Sequence, residues 1–144
     1  PNGAASGFFS GMIREPLAGQ RARVPVSPRT PVAVGSPART IEGLLFAATA
    51  AAEVWGPPTA VNLPSLQTTV GGMAEALGRV AGKQATALLD WEPDPAIDRL
   101  VSSWPGEFDW QRARAMGLQA DTDFDTVIRD YIRENSQAIA LPLG

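Results

Sequence analysis

The residues able to do chemistry in this chain are carboxylates and guanidiniums. Positive charge comes from eleven arginines and the single Lys83, and there is neither cysteine nor histidine. Without cysteine, disulfides, thiolate nucleophiles and cysteine zinc sites are excluded. Without histidine, the commonest general base and metal ligand is missing. The arginine skew fits an arginine-rich coding bias, or sites that favour planar, bidentate anion recognition. Acids gather at Asp94/Asp98 and at Asp121/Asp123/Asp125. Both groups sit at expected helix starts, where carboxylates cap amides and oppose the helix dipole, so capping is preferred to a metal or glycosidase role. Asp121-x-Asp123-x-Asp125 begins like an EF-hand loop, but Thr126 stands where glycine is needed and no glutamate closes it. Trp91, Trp104 and Trp110 suit core or interface packing before sugar stacking.

Two pieces of redox machinery are missing from the sequence. A short-chain dehydrogenase needs a glycine-rich turn that lets pyrophosphate reach a helix N-terminus. Gly3, Gly7 and Gly11 fall four apart, which is not that spacing. It also needs a Tyr-x-x-x-Lys acid–base pair, yet Tyr131 is followed four residues on by Asn135, and Lys83 has no tyrosine partner.

These residues have to be carried by one domain, the most that 144 residues allow. The apolar share of 44% and charged share of 19% are those of a globular protein. The net charge of -3 offers no basic face for nucleic acid. No apolar run approaches the ~20 residues of a membrane span, and no signal peptide is visible, so a cytoplasmic protein is expected. The chain opens at Pro1-Asn2-Gly3 without an initiating Met, giving the expectation of a piece of something longer.

The spacing predicts a helix over Ala4 to Leu17 and a short edge strand at Arg23–Val26. Residues 27 to 38, punctuated by Pro28, Pro31, Gly35 and Pro37, read as a loop of the length that tends to be functional or mobile. A helix is expected over Thr40–Val54, striped by Ile41, Leu44, Leu45, Ala48 and Ala52. A short strand comes next at Ala60–Leu63, then a helix over Val70–Ala81 stopped by Gly82. Ala85–Trp91 reads as a strand. Asp94-Pro95 opens a helix to about Trp104, and Asp109 opens another through Gly117. The last helix shows a Thr122/Asp125 capping box and a stripe of Phe124, Val127, Ile128, Tyr131 and Ile132. Residues 138–144 read as a tail.

An ordered series of segments carries a family resemblance. It runs from Asn2 through Ala4-Ala5-Ser6-Gly7-Phe8-Phe9-Ser10 and Ile13-Arg14-Glu15-Pro16-Leu17 to Val24-Pro25-Val26 and the helix after Arg39-Thr40. It continues with Asn62-Leu63-Pro64, Thr69-Val70-Gly71, Ser103-Trp104-Pro105-Gly106, Phe108 and Asp123-Phe124-Asp125. The series resembles the region after the sixth Rossmann strand of extended short-chain dehydrogenases. Among these it looks most like the D-erythronate dehydrogenase group, often labelled nucleoside-diphosphate-sugar epimerases.

The resemblance implies an α/β fold, α+β-like as a fragment: the helix-rich, substrate-binding part of a Rossmann enzyme, with few short strands. It assigns residues 1–137 to that part and places the cofactor site and Tyr/Lys pair in an amino-terminal part absent here. Thr40–Val54 and Ala60–Leu63 are the candidates for the helix and strand that return to the Rossmann layer. The implied cofactor is NAD, with NADP not excluded, and the implied whole enzyme is a homodimer. The implied reaction oxidises a secondary hydroxyl of a short sugar acid, whose carboxylate wants a bidentate partner. Arg14, Arg29 and Arg39 are candidates, with Ser10, Ser27 and Thr30 as hydroxyl-directed donors and Asn2 on the cofactor side. The plainer alternative leaves these arginines solvated or paired with Glu15 and Glu42. The loop over 29–38 departs from the family pattern, being longer and lacking an aromatic, so the substrate stays open. A sugar-nucleotide epimerase or dehydratase would need a longer pocket and a group for the base. A non-catalytic helical module would show neither redox motif anywhere in its reading frame.

Overall fold

The computed structural model describes residues 5–56 and 60–142. Its organising element is the helix expected over Val70–Ala81, found there with the same bounds. Thr69 accepts the Gly72 amide at 3.0 Å and caps its start, and Gly82, at φ +82, ends it. Between them Val70, Met73, Ala74, Ala76, Leu77 and Ala81 are buried. In chain order this helix is α4. Before it come α1 (Gly7–Leu17), β1 (Ala22–Val24), β2 (Pro31–Val34), α2 (Pro37–Thr49), α3 (Ala52–Trp55) and β3 (Leu66–Thr69). After it come α5 (Lys83–Thr86), β4 (Leu89–Trp91), α6 (Pro95–Ser102), α7 (Gln111–Ala115) and α8 (Phe124–Glu134), then a 3-10 turn at Ser136–Ala138.

Two small sheets flank α4. β1 pairs in parallel with β4, Ala22 opposite Leu89 and Val24 opposite Trp91, across a connection that carries α4, as a parallel pair requires. β2 pairs antiparallel with β3, Pro31 opposite Thr69 and Val34 opposite Leu66. The core joins Met12 and Leu17 of α1, Val24, Val26, Val32, the buried face of α4, Val101 and Ile128. A bidentate pair from Arg79 to Asp125, at 2.9 and 2.6 Å, staples α8 to α4.

Several expectations need correction. The stretch 27–38 is not all loop, because Pro31–Val34 is a strand. Pro31 is its first residue, where a missing N–H costs nothing, and Pro37 is the first residue of α2, where the same holds. These prolines bound elements instead of dissolving them. The expected single helix Thr40–Val54 is two, broken at Ala50 and Ala51, whose ψ values are 137° and 149°. Trp55 folds back to bring its ring 5.8 Å from that of Phe46. Ala60–Leu63 is irregular, and the strand lies at Leu66–Thr69 instead, beyond the break that Pro64 imposes. Ala85–Trp91 divides into the end of α5 and β4. Asp123, not Thr122, caps α8 by accepting the Thr126 amide at 2.7 Å, and Asp125 turns to Arg79. Of the stripe on α2, Ile41, Leu44 and Leu45 are 56%, 63% and 61% exposed, and only Gly43 of that helix is buried. Ala140 and Leu141 meet the end of α1, where their amides both donate to the Leu17 carbonyl at 3.0 and 3.1 Å.

Candidate substrate-side site

Three of the candidate residues form one turn. Thr30 donates its amide to the Ser27 carbonyl at 3.0 Å, and the Arg29 amide reaches Ser27 Oγ at 3.2 Å. Thr30 is buried, Ser27 is half-buried and Arg29 is exposed. The Arg29 guanidinium pairs with no carboxylate among the described residues. Beneath the turn lies the start of α4, where Val70 and Gly71 donate their amides to the Thr30 and Pro28 carbonyls at 3.0 and 2.7 Å. Beside it, Asp98 on α6 accepts the Ser27 amide at 3.3 Å.

The other candidates fall elsewhere. Ser10 and Arg14 lie one turn apart on exposed positions of α1, and Ser10 Oγ donates to the Gly7 carbonyl at 3.2 Å. Arg39 borders a separate cleft of about 200 Å³, lined in part by Asn62, Ser65, Phe108 and Gln119. It is engaged by Glu42 at 2.7 Å, and that hydrogen bond holds its proton more firmly than usual. For Arg39 the plainer pairing is the one found. Asn2 lies outside the described residues.

The carboxylates divide between capping and pairing. Asp94 accepts the Ala96 and Ile97 amides at 3.0 and 3.3 Å, which pull its carboxyl below the ordinary range. Asp123 is lowered by the Thr126 amide, Asp90 by Arg21 and Asp125 by Arg79. Asp121 instead reaches across the chain, taking the Ser36 amide and hydroxyl, both at 2.8 Å, at the start of α2. Among the described residues, no three acidic side chains gather where a metal could be held.

At the starts of α4 and α2 the first amides are already engaged. On α4 the Val70 amide goes to the Thr30 carbonyl, the Gly71 amide to the Pro28 carbonyl and the Gly72 amide to Thr69 Oγ1. At the start of α2 the Arg39 and Thr40 amides go to Ser36. A dinucleotide phosphate needs such donors free.

Sequence reasoning misses the contacts that hold the site. Gly106 passes so close to Pro31 that a Cβ there would sit 2.7 Å from the Pro31 Cβ. Nearby in sequence, Trp104 meets Phe9 with ring centroids 6.4 Å apart. In the sequence, Asp98 reads only as a helix-start acid and Gly71 only as one link of the segment series.

This chain is built like part of an extended short-chain dehydrogenase/reductase, a segment with two small sheets about a buried helix. It is 43% identical over 134 residues to a D-erythronate dehydrogenase of Cupriavidus necator, covering 93% of this chain and 41% of that protein. A D-erythronate dehydrogenase of Haemophilus influenzae is 33% identical over 92% of the chain and 42% of its own length. The chain thus spans about two-fifths of the length of these relatives. A nucleoside-diphosphate-sugar epimerase structure from Agrobacterium tumefaciens superposes with a TM-score of 0.89 at 38% identity, over 96% of this chain and 40% of that one. An L-threonine 3-dehydrogenase from Trypanosoma brucei shares the fold at 21% identity, with a TM-score of 0.81, over all of this chain and 44% of that one. No family model matches the chain. No helix among the described residues is long and apolar enough to cross a membrane.

Proposed function

We propose that this chain is the carboxy-terminal, substrate-side part of an NAD-dependent oxidoreductase acting on a secondary hydroxyl of a short sugar acid such as D-erythronate. The observation that carries the reading is the Ser27–Thr30 turn, a fixed support that offers one guanidinium, Arg29, free of any carboxylate among the described residues. A planar guanidinium is the group suited to grip a carboxylate through two bonds. Arg14 is the second choice, and Arg39, occupied by Glu42, the third.

Cofactor and acid–base chemistry belong to the remaining three-fifths of the enzyme, with NAD preferred over NADP. The chain alone is inactive, and the whole enzyme works in the cytoplasm as a homodimer. The exposed face of α2 supports this division. Three large aliphatic residues within five positions, each more than half exposed, make the kind of apolar patch that marks an interface. The Rossmann part of the enzyme covers it.

The test is an alanine series in a chimera, with this chain in place of the matching two-fifths of the Cupriavidus necator enzyme. Arg29→Ala should lower kcat/KM for D-erythronate at least about 30-fold, the lower end for truncating one partner of a desolvated charge pair. A neutral polyol of equal length should lose little, and Arg29→Lys should recover only part. If the Arg14, Arg29 and Arg39 variants all keep near-native activity while a sugar nucleotide is the better substrate, the carboxylate clamp is wrong and an epimerase reading replaces it.

A further inference from the structure

We infer that Gly71 and Asp98 are positioning residues that set where Arg29 stands, an inference that rests on the proposed role of Arg29 as the carboxylate clamp. The Ser27–Thr30 turn is held by two elements remote in sequence. From below, α4 gives the Val70 and Gly71 amides to the Thr30 and Pro28 carbonyls, and from the side Asp98 takes the Ser27 amide. The first amides of a helix are the ones an anion would otherwise seek. Here they are consumed by the turn, so the helix end serves as a mount and the guanidinium above it is left to meet the anion.

The mount works because residue 71 has no side chain. A Cβ at Gly71 would lie 2.8 Å from the Pro28 carbonyl oxygen, 3.2 Å from Pro28 Cβ and 3.4 Å from the Pro28 carbonyl carbon. Two of those atoms are main chain, so they cannot swing aside. The Pro28 peptide must move as a unit, and Arg29 is the next residue. Gly72 provides the contrast. A Cβ there would meet Thr68 Oγ1 at 2.6 Å, on a side chain that can rotate, and Thr69 Oγ1 at 3.4 Å, an ordinary contact that leaves the cap in place. Asp98 acts through one acceptor oxygen, so an asparagine in its place can still accept the Ser27 amide and an alanine cannot.

In the same chimera, Gly71→Ala should raise KM for D-erythronate about tenfold with kcat changed less than about twofold, the pattern of lost binding common to ground and transition states. KM for the neutral polyol should not change with it, whereas a general loosening of the fold would move both. Gly72→Ala should leave both unchanged. Asp98→Ala should raise the acid's KM about threefold or more, and Asp98→Asn should restore it. Amide exchange on this chain supplies a readout independent of turnover: the Ser27 amide should exchange faster in Gly71→Ala than in Gly72→Ala. If Arg29→Ala raises KM but Gly71→Ala and Gly72→Ala behave alike, the positioning role is wrong and the clamp stands. If Arg29→Ala is silent, clamp and positioning fall together. Should the chimera not turn over, equal Ser27 exchange in the two glycine variants overturns the inference.

Discussion

The face of α2 allows a quantitative test of the proposed division between this chain and a Rossmann part. Replace Ile41, Leu44 and Leu45 together by alanine. Full burial of such a side chain is worth about 1.5–3 kcal/mol. With 56%, 63% and 61% of each residue still exposed, about 1–2 kcal/mol per residue remains to be gained on docking. Alanine keeps only the first carbon, so the triple variant should weaken docking by about 2–4 kcal/mol, roughly 30- to 1000-fold in Kd. The isolated chain should lose less, about 1–2 kcal/mol for the three together, because only about two-fifths of each side chain is covered within it and alanine is the better helix former. The assay is thermal unfolding of the isolated chain, then calorimetric titration with the complementary three-fifths of the Cupriavidus necator relative made as a separate polypeptide. Loss of several kcal/mol in the isolated chain would refute the reasoning, since the face would then already be buried. Unchanged docking would refute it from the other side. A switch from dimer to monomer in sedimentation would give the face to a second copy.

Gly82→Ala should destabilise the chain by about 1–3 kcal/mol, the cost of a backbone region nearly reserved for glycine, because φ is +82 and no atom lies near enough to a new Cβ to clash. Asp123→Ala should lower Tm more than Thr122→Ala, since Asp123 alone accepts an amide at the start of α8, and denaturation of the two variants side by side decides it. Asp90, Asp94, Asp123 and Asp125 all have carboxyls held below their ordinary range by Arg21, by the Ile97 and Ala96 amides, by the Thr126 amide and by Arg79 respectively. A depressed folded-state pKa stabilises above the unfolded value of about 4 and loses that contribution as pH falls through the folded value. Tm should therefore drop below about pH 4, and Arg79→Ala should lower Tm at pH 7 more than at pH 3.

Whatever neighbours in sequence can settle is legible from the sequence, and whatever depends on distant contacts is not. Both ends of α4 are legible because Thr69, the Val70–Met73–Leu77 stripe and Gly82 are all local. β2 is not, because a strand of four residues is made by its partner, and the sequence pattern displaces that partner from Leu66–Thr69 onto Ala60–Leu63. The stripe of α2 reads as a buried face, yet Ile41, Leu44 and Leu45 stay more than half exposed, while Leu63 lies in the gap left by Gly43. A periodic pattern states that a face needs covering without stating what covers it. The site divides in the same way. Ser27, Arg29 and Thr30 stand together as candidates because they are near neighbours in the chain. Asp98 lies 71 residues from the Ser27 amide it accepts, and Gly71 is known by the side chain it lacks. A capping aspartate and a helix-start glycine each have an ordinary reason to be where they are. Only the approach of α4 and α6 to one turn gives them a second, and that approach depends on the packing of Val70 and Val101 into the shared core. Loosening that core should therefore reach Arg29 before it reaches any residue whose contacts are local.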